Sequence, residues 1–165
     1  ILLFLATQAR PAWLHCAIEC GMSEQALAML GKHPTREQLA ELEARIGECP
    51  QAEMPVTHHF ADGVYGRELF IPAGTVLTGK THRFATLNLL MQGEITVSTP
   101  DGMRRLTAPA IFTSVPGCKK AGYAHTDTIW VNIHPTKLRD LAAIESKFIE
   151  PETPATISEG FVWLG

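Results

Sequence analysis

The sequence predicts a mainly β domain, a sandwich or barrel of short strands, with helical segments at both ends. Three observations carry this. Apolar residues alternate with period two in short runs between Val56 and Pro135. Turn dipeptides (Ala73-Gly74, Gln92-Gly93, Asp101-Gly102, Pro116-Gly117) fall among those runs. On either side of this stretch the apolar spacing changes to three and four. Many short strands at regular turn spacing close into sandwiches or barrels.

Taken in order, residues 1–50 read as a helical segment. Trp13, Ala17 and Cys20 recur at helical spacing, and Gly21 is a C-terminal stop. Ser23 caps a second short helix that runs through Leu27 and Leu30 to Gly31. Thr35-Arg36-Glu37-Gln38 is a capping box, and Leu39, Leu42 and Ile46 follow on one face. Gly47 and Pro50 end that helix. Residues 56–135 hold the strands, with candidates at 68–72, 75–77, 87–91, 94–97 and 129–133. Residues 136–165 form the third part. Leu138, Leu141, Ile144 and Phe148 predict a short helix, and the last fifteen residues, rich in Pro, Thr and Glu, an extended arm.

Composition narrows the function classes. Among 165 residues, 14 Lys and Arg face 17 Asp and Glu, a net charge of −3. That balance offers no broad electrostatic footprint for nucleic acid or an anionic membrane. No run approaches the roughly 20 apolar residues of a membrane span. Ile1-Leu2-Leu3-Phe4-Leu5 is read as a buried first helical turn and not as a leader. The four cysteines make no Cys-x2-Cys, so reduced thiols and an intracellular setting are expected. His15, Cys16, Cys20, His33 and Cys49 have the residue types of a zinc knot. A Cys-x3-Cys spacing inside a helix is unlike the structural zinc motifs, and buried free thiols are the expected alternative. Ala17-x3-Gly21 is like the turn of a helix-turn-helix. The would-be reading helix, 23–32, carries one basic residue, so a packing role is expected instead.

The middle of the chain resembles the cupin superfamily. That family's first motif is Gly, five residues, His, one residue, His, three or four residues, Glu, six residues, Gly. Gly74, Lys80, His82, Thr86 and Gly93 stand at those intervals here. Its second motif is Gly, five residues, Pro, one residue, Gly, two residues, His, three residues, Asn. Pro109, Val115, Gly117, Lys120 and Ala124 stand at those positions, with Pro116 one residue late. The stretches 65–68, 79–82, 122–127 and 133–136 also resemble uncharacterised cupin-like proteins of bacteriophages. The resemblance implies a jelly-roll (double-stranded β-helix) barrel whose strands aim a metal-binding set inward.

Of the four ligand positions the resemblance implies, only His82 keeps a metal-binding side chain; Lys80, Thr86 and Lys120 take the others. A protonated lysine repels a divalent cation. An alternative set, His82 with His134, His125 and Glu68, has the donors for Zn, Mn or Fe. A plainer reading has His82 and His134 hydrogen-bonded inside a partly polar barrel. A third takes the substitutions at face value: Lys80 and Lys120 beside His82 and Asn88 favour an anionic ligand. Its counterpart is that both lysines reach out to solvent at the rim. His58-His59 is expected as a strand-edge pair, Tyr65 and Arg67 as pocket or interface residues, and Trp13, Trp130 and Trp163 as packing anchors.

Three functions follow as expectations. The first is a non-catalytic module, of the kind a phage uses in structural or accessory roles, acting through homo-oligomer or virion-protein contacts in the host cytoplasm or virion. The second is a metal-dependent oxygenase or isomerase. The third is a binder or epimerase of an anionic small molecule in the barrel.

Overall fold

In the computed structural model, residues 15–17, 22–31 and 34–151 are described, the first three by their backbone alone. Two five-stranded antiparallel sheets face each other. One holds β1 (His15–Ala17), β4 (Val76–Thr78), β9 (Ala121–Ala124), β6 (Glu94–Thr99) and β7 (Gly102–Thr107), in that spatial order. The other holds β2 (Val56–Ala61), β3 (Val64–Ile71), β10 (Thr128–Pro135), β5 (Thr86–Gln92) and β8 (Ala110–Ser114).

The pairing is nested. β3 pairs with β10, β4 with β9, β5 with β8 and β6 with β7, all antiparallel. The segment from β3 to β6 thus runs back-to-back with that from β7 to β10, as one long hairpin turning at Pro100-Asp101. Rolling this ribbon sends successive strands to alternate sheets and adds the β10–β5 and β9–β6 contacts. That is a jelly roll, a double-stranded β-helix.

Period two decides what lies inside. Leu69, Ile71, Leu90, Ile95, Val97 and Trp130 are buried between the sheets. The Trp130 ring meets Phe112 edge-on, with centroids 5.2 Å apart. Full burial of each such side chain contributes about 1.5–3 kcal/mol.

The N-terminal helices cover the outer face of the first sheet. α1 (Glu24–Ala28) is capped by Ser23, and α2 (Arg36–Gly47) by the Thr35–Gln38 capping box. Leu27, Leu39, Leu42 and Ile46 are buried with Val76 and Ala121. Glu43 of α2 accepts from the Thr78 hydroxyl at 2.7 Å and pairs with Lys119 at 2.7 Å, which ties α2 to the barrel. After the barrel, α3 (Leu141–Phe148) begins at its cap Asp140, later than the apolar spacing from Leu138 suggests. No helix among the described residues is long and apolar enough to cross a membrane.

Four expectations are corrected. Residues 15–17 form an edge strand on β4 and are not helical. Main-chain pairing to an exposed sheet edge overrides their weak helical spacing. With Ala17 in a strand, the helix-turn-helix reading falls as well. Cys49 is disulfide-bonded, not a free thiol, and Cys118 is the free one among the described residues. Folding brings α2 beside β1, which sequence spacing alone does not show. The setting inferred from reduced thiols loses that support. Strands β7, β8 and β9 were not among the candidates; their alternating faces carry small and polar residues. The expectations for Trp13, His33, Trp163 and the C-terminal arm fall outside the described residues.

Gly93, in the turn between β5 and β6, has φ +87°. A Cβ there would sit 2.4 Å from the Asp127 carbonyl oxygen and 2.7 Å from the Thr128 hydroxyl. Gly93→Ala is expected to cost about 2 kcal/mol, combining left-handed strain with a backbone clash. Urea unfolding measures it, and an unchanged midpoint would show that the turn can relax.

Candidate ligand cavity

The barrel encloses a cavity of about 480 Å³, within the range typical of small-molecule sites. Strand alternation sets its lining. β3 sends in Tyr65, Arg67, Leu69 and Ile71, every second residue. β10 contributes Trp130, Asn132 and His134 in the same way, and β5 contributes Asn88. The opposite sheet supplies Leu77, Ile95 and Val97. One part of the wall is therefore apolar, and the other carries nearly all the polar groups. α3 lies against the polar part, with Ile144 and Phe148 buried against Tyr65.

α3 is held there by the loop that carries His82. His82 and Ile149 form an antiparallel bridge. The Arg83 amide donates to the Phe148 carbonyl at 2.8 Å and the Glu150 amide to the Thr81 carbonyl at 2.9 Å. The Arg83 guanidinium adds a bond to the Ile149 carbonyl at 2.9 Å. The backbone that places His82 is thus the backbone that fixes the helix.

The polar wall holds two neutral imidazoles among cations. The His82 and His134 rings stack 5.5 Å apart at 9°. Burial first, then His134, Lys120 and Arg67 as neighbouring cations, push His82 down to about 3. Burial and Arg67 push His134 down to about 4. Arg67 is lowered to about 10 by burial, against the opposing influence of Tyr65 and Glu145, and stays charged at neutral pH. Burial also lowers Lys120, which the neighbouring Cys118 partly offsets. Lys80 faces Glu145 of α3 at 4.0 Å.

A hydrogen-bond chain fixes this wall. Asn132 donates to the Asn88 side-chain oxygen at 2.9 Å, and Asn88 donates to the Ser114 hydroxyl at 2.7 Å and to the Thr86 carbonyl at 2.8 Å. Lys120 donates to the same Ser114 hydroxyl. Asn88 is fully committed, so it positions Lys120 through Ser114 and has little left for a ligand. The Thr86 hydroxyl lies 3.0 Å from His82 Nδ1 and 3.2 Å from the Phe84 carbonyl. With that hydroxyl donating to Phe84, His82 Nδ1 donates to it and Nε2 keeps a lone pair.

Lys80, His82, Asn88, Lys120 and His134 all line the cavity. Glu68 and His125 do not. Glu68 lies at an even position of β3, between Arg67 and Leu69 that point inward, and it bonds His59 at 2.8 Å on the outer face. His125 lies on the outer side of the first sheet, with its Nε2 2.8 Å from the Thr96 hydroxyl and 3.7 Å from Glu24. The four-residue metal set is corrected accordingly: among the described residues no group of three His, Cys, Asp or Glu is arranged to hold a metal. The near-parallel His82 and His134 rings lie in separate planes, so their in-plane lone pairs run side by side, and Lys120 and Arg67 would repel a cation. These residues do not fit the metal that the cupin resemblance implies.

His58 and His59 take opposite faces of β2. His58 lines the cavity and bonds the Tyr65 hydroxyl at 2.7 Å. Asn132, Trp130 and the α3 residues were not singled out as site residues from sequence. Alternation along β10 is the signal that could have found Asn132, since it shares a face with His134.

By strand pairing, the chain is a cupin-type jelly roll. Solved structures similar to it include a cupin superfamily protein of Desulfitobacterium hafniense, at 16% identity, TM-score 0.44, covering 57% of this chain and 87% of that one. A RmlC-like cupin of Shewanella frigidimarina is 17% identical over 51% of this chain and 78% of its own, with TM-score 0.44. An acetylacetone dioxygenase of Acinetobacter johnsonii is 12% identical over 50% and 59%, with TM-score 0.42. No protein-family model matches the chain, and no curated protein does. In this cupin-type barrel the wall that carries metal ligands in the family pattern carries cations and neutral imidazoles instead.

Proposed function

We propose that the chain binds a small organic anion inside the barrel, a carboxylate with an apolar body, without a metal and without acid–base chemistry. The observation that carries this is the pairing of Arg67 and Lys120 with uncharged His82 and His134 in one wall of an otherwise apolar cavity. Glu145 is the one carboxylate among the lining residues, and it faces Lys80. A guanidinium is the side chain best suited to grip a carboxylate in two-point fashion. Neutral imidazoles and Asn132 supply donors that cost no further charge burial. The apolar part of the wall, from Leu69 to Val97, suits the remainder of the ligand.

A base at about 3 is poorly matched to proton abstraction near neutral pH, where catalytic groups work best with pKa values close to the operating pH. That favours binding over the epimerase alternative.

The experiment is calorimetric titration with octanoate and benzoate, with octanol as the uncharged control. Binding of a carboxylate at least tenfold tighter than octanol supports the proposal. Equal affinities for octanoate and octanol would remove the role given to the cations, and no binding of either carboxylate would remove the function.

A further inference from the structure

The two sheets differ in what covers them. Leu27, Leu39, Leu42 and Ile46 of α1 and α2 shield the outer face of the first sheet. Among the described residues no helix does this for the second. Its outward positions follow the strand registers. One cross-strand row reads Ile111, Leu89, Val131. The next contains Leu87 and Ile133, with Ile133 lying over Gly66. Ile111 is 71% exposed, Met91 57% and Leu87 42%. An alternating strand normally puts polar residues on such a face, and a scattered leucine would need no account. A contiguous apolar sheet does need one.

We infer that this face, across β3, β10, β5 and β8, is the interface of a reversible dimer with a second copy of this chain. Three features favour a self-copy. The patch is free of charge; the nearest ionic pair, Glu68 with His59, sits at its β2–β3 margin, so the middle offers nothing to a charged partner. β10 lies at the centre of its sheet. A two-fold axis near Val131 then sets each apolar row against its own copy, which an isologous contact requires, in the usual aligned packing of sheets about 10 Å apart. The size also fits. Four strands about 4.8 Å apart and about six residues long present roughly 400 Å² of projected sheet. That is about half of what each partner buries in a standard stable interface, roughly 800 Å². The dimer is therefore concentration-dependent and not permanent.

Sedimentation of the full chain between about 1 μM and about 1 mM, the range a weak interface of this size spans, tests it. The mass should rise from 18.1 kDa toward twice that. Ile111→Asp, at a position open to solvent and harmless to folding, should weaken association at least tenfold, and Leu87→Lys should do the same. Circular dichroism checks that both variants keep the barrel. A wild-type chain that stays monomeric throughout overturns the inference, as it would if another segment of the chain covered the face. Dimers that persist unchanged in both variants overturn it too, since the contact would then lie elsewhere.

Discussion

Arg67→Met should lower octanoate affinity by about 100-fold while leaving the octanol affinity nearly unchanged. Arg67 shares the inward face of β3 with Tyr65, Leu69 and Ile71. Its charge survives burial, since about 10 is well above neutral pH. Removing one partner of a buried charged pair costs about 2–5 kcal/mol, because the other charge is left unpaired. About 2.7 kcal/mol corresponds to 100-fold in affinity. Methionine keeps most of the side chain's volume and is tolerant of irregular gaps, so the barrel should persist. Arg67→Lys separates charge from geometry. A loss with Lys nearly as large as with Met would place the value in the planar guanidinium and not in the positive charge alone. Titration calorimetry on the three proteins reads all of this. Unchanged octanoate affinity in Arg67→Met would end the carboxylate assignment for this wall.

The second large effect is on stability in acid. His82 sits at about 3 and His134 at about 4 in the folded chain, against an ordinary 6.5. Below pH 6.5 the unfolded chain takes up protons on these residues and the folded chain does not. Stability contributed by keeping them neutral is therefore present above pH 6.5 and is lost as the pH falls toward 4 and then 3. Between pH 6 and 4.5 each histidine should account for about 2 kcal/mol of lost stability. Urea unfolding at the two values measures the sum. His134→Asn should remove about half of the pH-dependent loss, and a slope identical to wild type would contradict the neutral-imidazole wall. A bound carboxylate should reduce the loss, because a nearby negative charge raises both folded pKa values. Octanoate should therefore protect most strongly in mildly acidic solution, where it is still ionised.

Helices α1 and α2, the β-strands that carry β-branched and apolar alternation, and the two-sheet character of the middle were legible from local patterns. A capping box and a period of 3.6 or two are properties of neighbouring residues, and neighbouring residues are what a sequence displays. The same holds for the inward direction of His82. It did not hold for Glu68. Its strand was recognised, but counting two by two from Arg67 or Leu69 was needed to see that it points to solvent, where His59 meets it. The edge strand at 15–17 and the bonding of Cys49 were also out of reach, since both depend on α2 coming to rest beside β1.

What the sequence by itself determined is the jelly-roll ribbon, through the alternation and turn chemistry of residues 56–135, and the loss of metal-ligand chemistry at positions 80, 86 and 120. Only the tertiary structure decided that Arg67 joins Lys120 around His82, that α3 lies against this wall, and that the second sheet's outer face is left without a helix. The reason is that charge neutralisation, burial and exposure belong to pairs of residues far apart in the chain, such as Arg67 and Lys120. Rolling the nested hairpin is what brings those pairs together.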